Sequence, residues 1–264
     1  MLNALSQINI ELTSRCNKSC FFCGHQNPKV NTALEYGDID INLLVKIAEQ
    51  LPPGIIVQFH RDGEPLYYPY FKEAMGIFCD QIRSIVTNGK LLVEKADEII
   101  DRCETVTVSV FDKDPDGDEQ LAVLRKFLVE CKGSRKPVVN VKIVGTGVDE
   151  DRFKQLGVAI LHRSLHSPGS DTHYKRSQPP IPEVGICLDF LSHPSVDWRG
   201  DLYICNRLDV GRSGLLGNLN GETLDSLWNG QKRKTMMSYH IDGRRDLANA
   251  LCAKCEFYGI PTNG

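Results

Sequence analysis

Along the first 165 residues the apolar positions switch repeatedly between a period of two and a period near 3.6. Residues 8–12 (INIEL) read as a strand. Residues 40–51 (DINLLVKIAEQL) place apolar side chains at 41, 44, 45, 48 and 51, the spacing of one helical face, and Pro52, Pro53 and Gly54 stop that helix. A strand is predicted at 55–60, a helix at 70–82, a strand at 83–89 and a helix at 91–103. The β-branched run 105–111 (TVTVSVF) is a strand, 118–132 a helix and 137–145 a strand. Residues 149–156 lead into a last strand at 157–163.

Strand and helix alternate about six times, which implies parallel strands joined by crossover helices. The run is too short for a complete eight-unit barrel, so the expected fold is α/β, a partial (β/α)6 barrel. In such sheets ligands sit at the carboxyl ends of the strands. The rhythm ends near 165. Residues 166–182 (HSPGSDTHYKRSQPPIP) are rich in Pro, Ser and Gly and read as a linker. The expected organisation is a core at 1–165, a linker at 166–182 and a second unit at 183–264.

Composition changes little in this picture. Of 264 residues, 41% are hydrophobic and 25% charged, as in ordinary globular chains, and the net charge of −3 points to neither a nucleic-acid nor a membrane partner. No apolar run is long enough to cross a bilayer, and the N-terminus lacks the pattern of a secretory signal. A cytoplasmic, reducing location is expected, where clustered cysteines bind metal or do chemistry more often than they form disulfides.

The ten cysteines fall into sets. Cys16, Cys20 and Cys23 follow the first strand, on the functional edge. Three thiolates on one loop can hold an iron–sulfur cluster while leaving one iron open to a substrate or cofactor. A zinc knuckle and three unrelated core cysteines are the alternatives; zinc wants a fourth ligand, for which only His25 is at hand.

Cys16-x3-Cys20-x2-Cys23, with Phe22 before the last cysteine, resembles the signature of the radical S-adenosylmethionine (SAM) superfamily. Residues 62–66 (DGEPL) resemble its Gly-Glu-Pro motif, with Asp62 in place of the usual glycine, and Thr87 and Asn88 end the third strand in a TNG turn. The resemblance implies a four-iron cluster on the three cysteines, with SAM on its open iron. It implies SAM contacts from Phe22, Gly63, Glu64, Pro65, Thr87, Asn88 and Ser109. It also implies an electron donor such as flavodoxin or ferredoxin. The chemistry implied is reductive cleavage of SAM to a 5′-deoxyadenosyl radical, which removes hydrogen from an unactivated C–H bond. Read by themselves, Gly63 and Pro65 are loop punctuation and TNG is an ordinary turn.

Beyond the linker lie Cys187, Cys205, Cys252 and Cys255. Four thiols can complete a zinc site or fully ligate an iron–sulfur cluster. Residues 197–205 read as two short strands around an Arg-Gly-Asp turn, with a helix from about Glu222. GDLYIC, GNLNGETLDSLWN and CAKC resemble the SPASM and twitch extensions of radical SAM enzymes. With only four cysteines after residue 163, the likeness is to the shorter twitch type, which implies one auxiliary four-iron cluster. In length and in the placement of both sets the chain resembles twitch dehydrogenases that oxidise an alcohol carbon.

The expected activity is therefore a two-electron oxidation of a small polar substrate, the auxiliary cluster taking an electron. Redox-neutral epimerisation, modification of a peptide or nucleic acid, and a zinc-stabilised binding module are the competing readings. The short stretch before Cys16 lowers the expectation of a leader-peptide-binding domain. Arg163, ending the last strand, is a candidate base or positioning group. Cys79, Cys103 and Cys131 read as small buried hydrophobes, with Cys103 carried as a candidate hydrogen donor. Arg61 and Asp62 can bind polar substrate groups or pair with each other. The basic residues at 162–176 read as a solvated face.

Overall fold

Six strands, β1 (Gln7–Ile10), β2 (Ile56–Phe59), β3 (Ile82–Thr87), β4 (Thr105–Phe111), β5 (Val138–Val144) and β6 (Ala159–Arg163), run parallel and side by side in the computed structural model. The structure describes residues 2, 4–24, 35–163 and 186–255. The expected linker at 166–182, His25 and the basic residues 166–176 lie outside the described residues. Helices Ile41–Ala48, Phe71–Ile77 and Gly117–Glu130 are among the crossovers. Asp40 starts the first, its carboxylate accepting hydrogen bonds from the amides of Asn42 and Leu43 at 2.8 and 3.3 Å.

Each strand turns an apolar face outward. Ile8 and Ile10, Val57 and Phe59, Val106, Val108 and Val110, and Val139, Val141 and Ile143 are buried in one continuous core. Phe59 meets Phe78, which ends the helix Phe71–Ile77, edge to face at 5.7 Å. The alternate positions, Gln7, Asn9, Gln58, Thr107, Ser109, Asn140 and Lys142, share the opposite, inner face by strand alternation. There Gln7 donates to both Asn9 and Gln58 at 3.1 Å. A polar inner face is unlike the aliphatic filling of a closed barrel, and the sheet does not close: its order is β6-β5-β4-β3-β2-β1-β7-β8-β9.

The last three strands, β7 (Ser195–Val196), β8 (Asp201–Tyr203) and β9 (Leu215–Asn218), extend the same sheet. β7 pairs parallel with β1, and β8 and β9 follow antiparallel. Asn9, fully buried, donates from its side chain to the Pro194 carbonyl at 3.2 Å. The C-terminal cysteine segment is thus joined to the barrel through a shared sheet.

Two expected helices are shorter. Of 91–103, only Ala96–Ile99 is α-helical; the preceding turns are partly closed by three-residue bonds, and Asp101 leaves the helix at φ 59°. The helix expected from Glu222 is two helices, Leu224–Trp228 and Gln231–Ile241. They are parted at Gly230, where a Cβ would lie 2.7 Å from the Ser226 carbonyl.

Candidate functional site

The loop after β1 carries Cys16, Cys20 and Cys23 at the carboxyl edge of the sheet. The Cys23 amide donates to the Cys20 carbonyl at 3.0 Å, closing a turn. The loop is pinned to the end of β4. Phe22 packs edge to face on Phe111 at 5.0 Å, Lys18 stands 4.8 Å above the same ring, and its ammonium pairs with Asp114. Burial, followed by the neighbouring Cys23, pushes the Cys20 thiol up to about 12, and burial also raises Cys16. Bare thiols here hold their protons; a cationic group held among them would favour thiolates.

The Gly-Glu-Pro segment supports this loop. The Glu64 amide donates to the Arg15 carbonyl at 2.9 Å. The buried Glu64 carboxylate accepts from Thr87 Oγ1 and the Asn88 amide, each at 2.7 Å, and from the Leu66 amide at 3.1 Å. Burial outweighs these bonds and raises its carboxyl to about 7. Pro65 begins a single 3-10 turn, Pro65–Tyr67. Asn88 donates to Asn17 at 2.8 Å and lies 3.7 Å from the Cys16 sulfur. Gln120 ties the edges together, donating to the carbonyls of Asn88 at 2.6 Å and Ser109 at 2.8 Å. Phe22, Gly63, Glu64, Thr87 and Asn88, read separately from sequence, thus belong to one hydrogen-bonded and packed surround of the cysteine loop.

The second set converges as well. Cys187 precedes the helix Leu188–Ser192, Cys205 follows β8, and Cys252 and Cys255 lie in and after the helix Ala250–Lys254. All four line one cavity with Asp189, Phe190, Ile204, Arg207, His240 and Leu251. Asn249 caps the last helix and donates to the Cys252 sulfur at 3.1 Å. Burial pushes the Cys252 thiol up to about 12 and Cys205 further. A single zinc requires four sulfurs about 2.3 Å from one point. Among the described residues no three His, Cys, Asp or Glu side chains stand close enough to hold one ion. Four thiols lining one cavity are a donor set that an iron–sulfur cluster or a zinc ion takes.

At the end of β1 lies a polar cavity lined by Glu11, Arg61, Asp62, Asp197, Arg199 and Tyr203 among others. Arg61 is 3.4 Å from Glu11 and 3.8 Å from both Asp197 and Asp62, with its guanidinium over the Tyr203 ring at 4.5 Å. Burial, with Asp62 and Asp197 near by, pushes the Glu11 carboxyl well up, against the attraction of Arg61. Arg61 and Asp62 pair, as the sequence allows, while Glu11 and Asp197 carried no sequence signal.

Ser109 lies on the inner face in register with Lys142, and Arg163 ends β6 opposite Val144, exposed. Cys103 corrects the expectation of a hydrogen donor. It precedes β4, at the amino edge of the sheet, fully buried, with its thiol donating to the carbonyls of Arg83 and Thr105 at 3.3 and 3.1 Å. That edge is opposite the cysteine loop. Cys79 is exposed rather than a buried small hydrophobe, and Cys131 is half-buried at the end of Gly117–Glu130. Among the described residues no cysteine forms a disulfide.

Comparison with known proteins agrees with this layout. Residues 187–256 match the SPASM family, an iron–sulfur cluster-binding domain. The chain is 23% identical over 264 residues to the S-adenosyl-L-methionine-dependent 2-deoxy-scyllo-inosamine dehydrogenase of Niallia circulans, covering 97% of this chain and 95% of that one. It is 28% identical over 172 residues to the tungsten-containing aldehyde ferredoxin oxidoreductase cofactor-modifying protein of Pyrococcus furiosus, covering 58% and 46%. Among solved structures, BtrN in complex with AdoMet and 2-DOIA is similar with a TM-score of 0.65 at 18% identity, covering 100% of this chain and 98% of BtrN. Streptococcus suis SuiB bound to S-adenosylmethionine gives 0.66 at 13% identity, covering 97% and 73%. The fold is that of radical SAM enzymes with a SPASM-type C-terminal segment, as the motifs implied.

Proposed function

We propose that this chain is a radical SAM oxidoreductase that dehydrogenates a small polar substrate at a carbon bearing a hydroxyl or similar group. The observation that carries this reading is the pairing of β7 with β1. It joins the strands that carry the three-cysteine loop and the four-cysteine cavity in one sheet, with a polar cavity at the end of β1. When bound, the first cluster and SAM supply a hydrogen-abstracting radical and the second cluster an electron acceptor. Cys16, Cys20 and Cys23 would hold the former, and Cys187, Cys205, Cys252 and Cys255 the latter.

The chain's own residues then have defined tasks. Glu64 and Asn88 fix the cysteine loop, while Phe22 and Phe111 exclude water beside it. The substrate loses one hydrogen atom, one electron and one proton. Glu11, held against Arg61 at 3.4 Å in the lining of the polar cavity, is the base this geometry favours. Arg163 would position substrate from β6. The Niallia relative, matched over nearly its whole length, supports a small-molecule alcohol oxidation. A flavodoxin- or ferredoxin-type protein would supply the electron for SAM cleavage, in the cytoplasm. Among the described residues no helix is long and apolar enough to cross a membrane.

Anaerobically purified protein is expected to hold about eight irons. Replacing Cys16, Cys20 and Cys23 by alanine should abolish 5′-deoxyadenosine formation. Turnover should consume one SAM per product two mass units lighter. A mass-neutral product carrying one solvent-derived hydrogen would replace oxidation with epimerisation. A modified peptide would place the chain nearer to SuiB, which has been solved with its precursor peptide SuiA.

A further inference from the structure

Most buried cations of this chain have an acid or an aromatic ring against them: Arg61 has Glu11, Lys18 has Asp114, and Arg83 has Glu104. The inner face of the sheet breaks that rule. Lys142 and Val144 lie two apart on β5, so their side chains share a face. Arg163 is the register partner of Val144, and Ser109 that of Lys142. His60, just past β2, and Arg207, just past Cys205, complete the group. Lys142 is within electrostatic reach of both arginines, and His60 of Lys142 and Arg207. Arg207 is paired with Asp189 at 3.2 Å. Lys142 and Arg163 make no hydrogen bond or ion pair with any described residue.

Like charges gathered on one face of a sheet repel, and a buried one forgoes hydration. Burial and the two arginines push the Lys142 ammonium down to about 8, and burial with Lys142 pushes His60 down to about 3. A fold that leaves Lys142 and Arg163 without an acid partner among the described residues is set up to receive negative charge, since an incoming oxyanion relieves the repulsion and accepts their donors. Arg163 alone is an unremarkable strand-end arginine; it is the register of β5 and β6 that sets it beside Lys142.

We propose that the substrate carries an oxyanion, a carboxylate or a phosphate ester, which docks against Lys142 and Arg163 on the inner face of the sheet. This rests on the oxidoreductase reading above and narrows its substrate class.

The test uses holoenzyme with both clusters loaded, with and without saturating SAM, and no reductant. Inorganic phosphate and glycolate serve as probes, ethylene glycol as the neutral control, and binding is read by calorimetry. Wild type is expected to bind one of the two anions and not the control. Lys142→Met should weaken that binding at least tenfold, whereas Lys142→Arg should retain it. Which anion binds distinguishes a phosphate ester from a carboxylate. Equal binding by wild type and K142M, or no binding of either anion by wild type, overturns the proposal. Binding seen only without SAM also overturns it, because the cations would then serve the carboxylate of SAM. Iron content and substrate-free 5′-deoxyadenosine formation, read on the same preparations, report on the oxidoreductase reading separately.

Discussion

A methyl group on residue 63 would lie 1.9 Å from the Thr13 carbonyl oxygen and 2.8 Å from that of Arg15. Both are backbone atoms of the strand end that launches the cysteine loop, so neither can swing aside. Gly63→Ala should therefore displace the loop and cost the first cluster, lowering iron by about four per chain while the C-terminal set keeps its own. Iron analysis with spectroscopy of the remaining cluster checks this; full iron retention would show that the loop tolerates the shift. In the sequence Gly63 reads only as loop punctuation, because its constraint comes from a backbone some fifty positions earlier. Cys16, Cys20 and Cys23 were legible for the opposite reason: all three lie within eight residues, and their spacing is local. Lys142, Glu11 and Arg207 were opaque, since nothing in the residues beside them marks a charge cluster assembled by strand register.

At the scale of elements, the amino edge of the sheet is laced by one carboxylate. Glu104, just before β4, accepts from the Arg83 amide at 2.7 Å, from the Arg83 guanidinium at 3.0 Å and from Lys136 at 2.6 Å, linking the entries of β3, β4 and β5. Burial raises its carboxyl, but the bonds from Arg83 and Lys136 outweigh burial and hold it down to about 2. A depressed folded value means stability that is fully present above the unfolded value near 4.5 and lost as pH falls from there toward 2. Glu104→Gln should thus lower Tm at pH 7 by a few degrees, and the gap from wild type should narrow steadily below pH 4.5. A gap independent of pH would assign the effect to packing. Element boundaries were the less legible part of the chain. Strand 105–111 stands where its β-branched residues put it, because that pattern is continuous. The pattern at 91–103 is equally helical in composition, yet Asp101 in the left-handed region turns the chain into β4 and only Ala96–Ile99 is helical.

For the whole molecule, the sequence suggests two units divided by 166–182, while the sheet runs through both. Asn9 donates to Pro194, β1 pairs with β7, and the Ser195 hydroxyl donates to the Cys205 carbonyl at 2.7 Å. Lys46, on the first helix, also donates to the carbonyls of Leu219 and Asn220. A protease site introduced at residue 175 is expected to give two fragments that still elute together in gel filtration, with both clusters retained. Separate elution would make the C-terminal segment an independent unit.

The β1–β7 pairing also sets a clock on synthesis. Asn9 and Pro194 are 185 residues apart in the chain. At about 5–20 residues per second, β1 waits roughly 10–40 s on the ribosome before its second neighbour exists. During that interval one edge of β1 is open to any other strand, and the cysteine loop that leaves it lacks its final support. Metal delivery to the nascent loop would act on an unfinished scaffold, so maturation of the proposed cysteine-loop cluster is expected only once β7 has been made, and slowing translation before residue 195 would lengthen the period in which misassembly competes with it.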